Sequence, residues 1–328
     1  MAADLVLGVD GGKSKTVCLI ARGEEGVIGA GRAGSSDKYD VPLEQALDAV
    51  VEAARAAAEQ AGVSLPVQAG CFGLAGADWP EDFAELEHGL KARNLAKQVL
   101  VKNDMHIALH ANTDYGVVVS AGTHTAAAIR TPDGREWHAG WFAVEGPGGV
   151  TAGHKVLWAV FRAYDGRGAQ TALTDLVLAA TGASDPLELL RAHSEGRVDT
   201  AYLARLAPLV FQAHYRFGDQ VAAEIIMELG EDMARWATGL LARFNLLHAD
   251  VPVILTGGLF KGEGTLLLDT VTMRIHALAP KAQIRLAQRE PVIGAVLYAY
   301  EMLGYSVGPL LMEALERTLP DADFFRTA

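Results

Sequence analysis

The glycine-rich turn near the start of the chain constrains the fold most strongly. The apolar run at residues 5–9 ends in Asp10-Gly-Gly-Lys-Ser, and a second apolar run at 17–20 follows. Two such runs predict buried strands joined as a β-hairpin. Gly11 and Gly12 let the backbone approach an anion and direct N–H groups toward it. Asp10, where strand becomes turn, is placed to hold magnesium, so the hairpin is a candidate phosphate-binding element.

Three other interpretations of this turn must be weighed. A P-loop requires a glycine five positions before its last one, but Leu7 stands there and a strand, not a helix, is predicted to follow. A dinucleotide-binding fingerprint requires Gly-x-Gly-x-x-Gly opening a helix, and that spacing is missing. A tight hairpin without any ligand stays open on these residues alone.

Composition narrows the class of protein. A chain of 328 residues that is 50% hydrophobic and 21% charged can bury a large core and form two domains. The net charge of -12 and the lack of a lysine or arginine run argue against nucleic-acid and anionic-membrane partners. No signal segment and no apolar run approaching about 18 residues is found, so we expect a cytoplasmic protein. Cys18 and Cys71 lie in apolar strand-like runs and read as buried hydrophobes.

Strand and helix patterns alternate in two successive blocks, each led by a hairpin with a glycine turn. In the first block, we predict strands at 27–32, 67–74 and 98–102 and helices at 43–60, 81–93 and 104–111. In the second block, we predict strands at 117–120, 126–130, 136–138, 251–255 and 283–286, and helices at 153–164, 171–180, 199–214, 219–244, 265–277 and 291–303. The repeat predicts an α/β fold with domains at 1–115 and 116–328 and a nucleotide cleft between them. The last helices are expected to pack back on the first domain.

Six short motifs carry a family resemblance because they come in a characteristic order. They are Asp10-Gly-Gly-Lys-Ser-Lys-Thr16, Gly73-Leu-Ala-Gly-Ala-Asp78, Asn103-Asp104, Ala121-Gly-Thr-His-Thr125, Thr256-Gly-Gly258 and Pro291-Val-Ile-Gly-Ala295. Over nearly the whole chain, this order resembles that of N-acetylglucosamine kinases. Their actin-like ATPase superfamily includes other sugar kinases, Hsp70 chaperones and the activating ATPases of benzoyl-CoA reductase. The resemblance implies two actin-like (ribonuclease H-like) domains.

The same resemblance implies ATP and magnesium as cofactors. Asp10 would serve the metal, while backbone amides of the two glycine turns would hold the phosphates and a glycine pair would lie against the adenosine. The residues assigned to the nucleotide are Asp10, Gly11, Gly12, Lys13, Ser14, Thr16, Gly122, Thr123, His124, Thr125, Gly257 and Gly258. Lys13 and His124 replace glycines of the family pattern, so added side chains lie along the predicted phosphate path.

Asp104 is the candidate general base. It follows the strand at 98–102 and begins a helix, so its carboxylate can project from the carboxyl edge of a sheet toward an acceptor hydroxyl. The alternative is that Asp104 merely caps the helix, a frequent use of aspartate. The resemblance favours the base, and both roles can coexist.

The acceptor side departs further from the family. The resemblance assigns Ser36, Asp37, Gly76, Ala77, Asp78, Asn103 and Glu145 to the substrate. Val144 stands where the family has an aspartate, which leaves Glu145 as the carboxylate of that segment. Because an unpaired buried polar group costs about 1–3 kcal/mol, we expect an acceptor other than plain N-acetylglucosamine.

These observations predict an ATP-dependent sugar kinase of carbohydrate metabolism that phosphorylates a hydroxyl of an amino sugar or related sugar. The resemblance also implies a homodimer. The alternative is an ATP-hydrolysing activator or switch protein without a sugar acceptor. Reductase activators of the superfamily hold an iron-sulfur cluster between subunits with cysteines, and neither Cys18 nor Cys71 is predicted in a suitable loop. A relative that binds without catalysis is a third possibility.

Overall fold

The computed structural model describes residues 4–139 and 146–326. Contacts within the chain define two compact units. The first unit consists of Met1–Gly116, Ala128–His138 and Ala287–Ala328, and the second consists of Val117–Ala127 and Ala139–Leu286. A five-stranded sheet with flanking helices recurs along the chain, as the predicted α/β class requires.

The first sheet has the strand order β3-β2-β1-β4-β5. Its strands are β1 (Leu5–Gly11), β2 (Thr16–Arg22), β3 (Gly26–Ala33), β4 (Val67–Leu74) and β5 (Ala96–Asn103). The pairs β1/β2 and β2/β3 are antiparallel, and β1/β4 and β4/β5 are parallel. The predicted hairpin is therefore β1 and β2, and β1 also begins the parallel half of the sheet.

The register of the parallel strands brings their carboxyl ends to one edge. Gly11 of β1 lies opposite Leu74 of β4, and Leu74 lies opposite Asn103 of β5. The residues that follow these three positions therefore leave the sheet side by side, as expected at the carboxyl edge of parallel strands.

Helices cover both faces of the first sheet. They are α1 (Leu43–Ala61), α2 (Pro80–Ala92), α3 (Asp104–His110), α10 (Pro291–Met302) and α11 (Pro309–Arg317). One core contains Leu47 of α1, Leu86 of α2 and Phe72 of β4. A second core contains Ile107 of α3 and Val296 of α10. Since β1, β2 and β4 are apolar and mostly buried, the centre of the sheet is a rigid platform for its carboxyl edge.

The second five-stranded sheet has the order β10-β9-β6-β7-β8, where β9 pairs in parallel with both β6 and β10. Its strands are β6 (Gly116–Ala121), β7 (Thr125–Arg130), β8 (Glu136–His138), β9 (Pro252–Thr256) and β10 (Gln283–Leu286). The helices between β8 and β10 are α4 (Gly149–Asp165), α5 (Leu173–Thr181), α6 (Pro186–Ser194), α7 (Thr200–Phe217), α8 (Gln220–Arg243) and α9 (Leu266–Leu278).

Two helices were missed by the sequence patterns. The helix α6 begins after Asp185, whose side chain accepts a hydrogen bond from the Glu188 N–H, with Pro186 in its first turn. The helix α11 likewise has Pro309 in its first turn. Both carry ordinary start signals, but each spans only nine residues, so the apolar repeat that would reveal a helix is short.

Within the described ranges, no helix has both the length and the apolar character needed to cross a membrane.

Gly294 controls the contact between α10 and α3. A Cβ atom added to Gly294 would lie 1.9 Å from the main-chain oxygen of Ile107. The helices approach this closely only because residue 294 has no side chain. By contrast, a Cβ atom added to Gly239 of α8 would meet nothing within 4 Å.

These two helical glycines form a matched pair for a stability test. We expect Gly294→Ala to lower the free energy of unfolding by about 1–3 kcal/mol, since the new methyl group must displace backbone. Gly239→Ala should raise it by up to about 1 kcal/mol, because alanine has the higher helix propensity. Urea titration followed by circular dichroism measures both changes. Changes of the same sign would contradict the close packing of α10 on α3.

Candidate functional site

In the first glycine turn, one backbone amide is bonded within the turn itself and is not available to an anion. The Gly12 N–H donates to the Lys15 carbonyl at 2.9 Å, so this amide closes the hairpin. Lys13 and Ser14 lie exposed at the tip of the turn. Thr16 Oγ1 lies 2.8 Å from the Ser36 hydroxyl and is fully buried. The turn therefore exposes Lys13 and Ser14 to solvent. Thr16, at the start of β2, connects the hairpin to the loop that follows β3.

The loop after β3 brings two predicted substrate residues to this hairpin. Ser36 and Asp37 are 2% and 3% exposed. The Ser36 N–H donates to the Gly12 carbonyl at 3.2 Å. A Cβ atom on Gly11 would lie 2.3 Å from Ser36 Oγ, so the loop packs closely on this glycine. The structure thus joins the predicted phosphate turn and part of the predicted acceptor site.

Lys13 faces acidic side chains of the same loop. Its Nζ lies 3.3 Å from Asp40 Oδ1 and 3.9 Å from Asp37 Oδ2. The side chains of Lys13 and Asp40 are 49% and 41% exposed. Exposed ion pairs of this kind contribute little to stability because solvent and salt screen them. Lys13 is therefore a half-exposed positive charge beside the buried carboxylate of Asp37.

The residues that follow β4 and β5 meet as the sheet register predicts. The Ala75 N–H donates to the Gly11 carbonyl at 2.8 Å. Asn103 Nδ2 donates to Asp78 Oδ1 at 3.1 Å and to the Ala77 carbonyl at 3.3 Å. These bonds collect the predicted acceptor residues Ala77, Asp78 and Asn103 beside the first hairpin.

Asp104 begins α3, but Asn103 caps the helix. Asn103 Oδ1 accepts a hydrogen bond from the Met105 N–H at 3.0 Å, and Asn103 has the extended backbone of an N-cap residue. Asp104 is the first helical residue. The N-cap position proposed as the alternative role of Asp104 is thus filled by its neighbour.

Burial and neighbouring acidic groups raise the pKa of three carboxylates at this edge. Burial raises the pKa of Asp104 to about 8, and the charges of Asp10 and Asp78 add to the effect. Burial also raises the pKa of Asp10 to about 6, with a contribution from Glu290. Burial and the charge of Asp37 raise the pKa of Asp78 to about 6. Such strong shifts in a cluster of carboxylates are typical of functional sites, since they leave a proton acceptor whose affinity lies near neutral pH.

In the second unit, the second glycine turn lies against the start of α4. The Gly149 N–H donates to the Gly122 carbonyl at 2.8 Å, and the Val150 N–H donates to the Thr123 carbonyl at 3.1 Å. The Gly122 N–H donates to the His124 carbonyl at 3.1 Å. The turn and the first amides of α4 are therefore one hydrogen-bonded structure.

The predicted adenosine loop contacts the same turn. Gly257 has a φ angle of 105°, in the region that favours glycine, and its Cβ atom would lie 2.4 Å from the Ala121 carbonyl carbon. Gly258 begins a single 3-10 turn, Gly258–Lys261. The second unit thus brings the predicted nucleotide residues at 122–125 and 257–258 next to each other.

The structure leaves one predicted site residue, Glu145, untested and adds one that was not predicted, Asp82. Glu145, the predicted sugar contact, and its neighbour Val144 lie outside the described residues. Asp82 was not predicted, although the residue is 2% exposed and its carboxylate accepts hydrogen bonds from the loop that carries Asp78. Its place at the third position of α2, where acidic side chains often bond back to the chain, was the available signal.

Comparison with known families identifies the class of protein. The profile of the BadF/BadG/BcrA/BcrD ATPase family matches residues 7–299. This match spans most of the 328 residues, and the chain belongs to that family. A search of curated proteins finds no significant match.

Solved structures show the fold. A candidate N-acetylglucosamine kinase from Chromobacterium violaceum matches with a TM-score of 0.69 and 23% identity, over 90% of this chain and 98% of that one. A candidate N-acetylglucosamine kinase from Porphyromonas gingivalis has a TM-score of 0.67 and 15% identity over 90% and 99%. A ROK family glucokinase from Streptomyces griseus, solved with glucose and AMPPNP, has a TM-score of 0.60 and 17% identity over 90% and 99%. The predicted actin-like fold and superfamily are confirmed.

Asp104→Asn separates chemistry from stability. We expect turnover to fall about 10²- to 10⁴-fold, the usual range for a positioned base.

The effect of Asp104→Asn on stability should depend on pH. The unfolded chain releases the Asp104 proton near pH 3.8, whereas the folded chain retains it to about pH 8. Ionising Asp104 therefore costs folding free energy that grows between these two pH values and is constant above them. Asparagine cannot ionise, so without nucleotide the variant should gain thermal stability over wild type as pH rises from about 4 to about 8.

The exposed Asp114 supplies the control for this measurement. Asp114→Asn should leave both turnover and the pH dependence of the melting temperature near wild type. An Asp104→Asn variant that turns over normally and melts lower than wild type at pH 8 would reduce Asp104 to a structural role.

Proposed function

We propose that the protein is an ATP-dependent kinase that transfers the γ-phosphate to a hydroxyl of an amino sugar or related sugar. Membership of an ATPase family supports the use of ATP. The observation that carries the kinase proposal is the position of Asp104. Its half-buried carboxylate follows β5 at the sheet edge where Asp37, Asp78 and Asn103 gather. A nucleotide hydrolase needs to position only water, whereas this edge offers several buried groups suited to an acceptor with several hydroxyls.

Two carboxylates at this edge, those of Asp37 and Asp78, each have one oxygen available for such an acceptor. The Asn103 amide holds Asp78 Oδ1, and the Tyr39 N–H holds Asp37 Oδ1 at 3.0 Å. The second oxygen of each carboxylate can accept a hydrogen bond from a sugar hydroxyl. Asp104 would take the proton of the attacking hydroxyl, and its pKa of about 8 makes it a stronger base than an ordinary aspartate.

Asp10 fits a role beside magnesium. Its half-buried carboxylate has a raised pKa, so a nearby cation would favour its ionised form. Among the described residues, no three His, Cys, Asp or Glu side chains are grouped to hold a metal. Magnesium that arrives with ATP does not need such a group, because it keeps several waters and binds one or two carboxylates together with the phosphates. Bound magnesium would supply charge neutralisation at the phosphates.

The alternative function, an activator that holds an iron-sulfur cluster, is not supported by the positions of the two cysteines. Cys18 in β2 and Cys71 in β4 are both 0% exposed. Burial raises the pKa of both thiols well above the ordinary range. Iron-sulfur clusters require accessible thiolates, and neither cysteine fits that requirement. A switch protein that hydrolyses ATP without a cluster stays as the second candidate.

The direct test measures ADP release with and without a sugar. Purified protein with ATP and magnesium should release ADP only when an acceptor is present, and mass spectrometry should detect sugar phosphate in equal amount. The panel should include glucose, glucosamine, N-acetylglucosamine and N-acetylmannosamine, and we expect N-acetylglucosamine not to be the best acceptor. ADP release at the same rate without any sugar would contradict the kinase proposal and favour the switch protein.

Asp10→Ala tests the metal role. Two phosphates repel a carboxylate unless a cation separates them, so the variant should lose most of the magnesium dependence of ATP affinity. Calorimetric titration with and without magnesium gives both affinities for wild type and variant. Equal ATP affinity in both conditions for both proteins would remove Asp10 from the site.

A further inference from the structure

Asp82 accepts hydrogen bonds from two separate segments of the first unit. Its Oδ2 accepts the Trp79 N–H at 2.7 Å and the Asp78 N–H at 3.2 Å. Lys38 Nζ donates to Oδ1 at 2.7 Å, and the Tyr39 hydroxyl lies 2.9 Å from Oδ2. One buried carboxylate therefore ties the loop after β3 to the loop after β4.

These two loops carry the candidate acceptor carboxylates. Asp78 directly precedes Trp79, and Asp37 directly precedes Lys38. The loops also touch at Gly76, where a Cβ atom would lie 2.9 Å from Asp37 Oδ1 and 2.8 Å from Lys38 Cγ. Small movements of either loop would thus change the distance between the Asp37 and Asp78 carboxylates.

The charges at Asp82 make this connection strong. Burial opposes ionisation, yet hydrogen bonds from Lys38, the Trp79 N–H and Tyr39 hold the pKa of Asp82 below its usual value. The Lys38 side chain is 14% exposed and also contacts Glu85. A buried ion pair with its remaining hydrogen-bonding positions filled is costly to break from one side, because the partner is left charged and unpaired.

We infer that Asp82 is a positioning residue for the acceptor, whose carboxylate fixes the spacing of Asp37 and Asp78 by joining their loops. This inference rests on the proposed kinase function. Asp82 itself does not touch the reacting atoms. It acts through the main chain at Asp78 and through Lys38 and Tyr39.

Steady-state kinetics of Asp82→Asn test the inference. Asparagine keeps the size of the side chain but removes the charge that holds Lys38. We expect KM for the best sugar of the panel to rise about tenfold or more, while KM for ATP changes less than about twofold. A general loss of folded protein would instead lower the active fraction and leave both KM values unchanged.

Two further variants serve as controls. Glu85→Gln removes the other, more exposed partner of Lys38 and should leave KM for the sugar within about twofold of wild type. Tyr39→Phe removes one hydrogen bond to Asp82 without removing charge, so it should raise KM for the sugar by a smaller factor. If Asp82→Asn does not fold, the KM of Tyr39→Phe for the sugar still tests the inference. Equal sugar KM values in wild type, Tyr39→Phe and any folded Asp82→Asn would overturn the inference.

Hydrogen exchange separates this inference from the kinase proposal. Without any ligand, Asp82→Asn should speed exchange in peptides covering 34–41 and 75–80, but not in α8. If wild type releases no ADP with any sugar, the kinase proposal fails, and exchange alone then tests the coupling of the loops. Unchanged exchange in both peptides would show that Asp82 does not hold them.

Discussion

The parallel pairing of β1, β4 and β5 is the constraint on which the site depends. Backbone hydrogen bonds set Gly11, Leu74 and Asn103 in line, so three chain segments must leave the sheet at one edge. Burial of apolar side chains holds β1 and β4, and this burial does not involve the polar residues beyond the strand ends. Asp104 can therefore lie in an unfavourable electrostatic environment while the sheet below it stays intact.

Backbone packing extends this rigidity into the helices. A Cβ atom on Gly8 would lie 2.6 Å from the Val296 nitrogen, and α10 in turn packs on α3 through Gly294. Side chains of ordinary size would hold the helix away from both neighbours. Because α3 begins with Asp104, these close main-chain contacts help to fix the position of the candidate base.

The sequence predicted those parts of the site that rest on local patterns. The hairpin at Asp10 and the strand-to-helix exit at Asp104 each have a signal within a few residues, and the parallel-sheet rule then brings them together. The pairing of Lys38 with Asp82 has no such signal, since 44 residues separate them and each reads alone as a solvated charge. The Lys13 contact with Asp40 was missed for the same reason. Long-range side-chain pairing depends on the packed structure, which no short pattern contains.

The two cysteines of the first unit can report when its helices separate from the sheet. Cys18 belongs to the core between the sheet and α1, while Cys71 belongs to the core between the sheet and α10. Neither thiol is accessible or readily ionised in the folded chain, so a thiol-specific reagent reacts only after the covering helices separate from the sheet. Labelling rates at the two positions would therefore report separately on the loosening of each face, without any label having to be engineered into the protein.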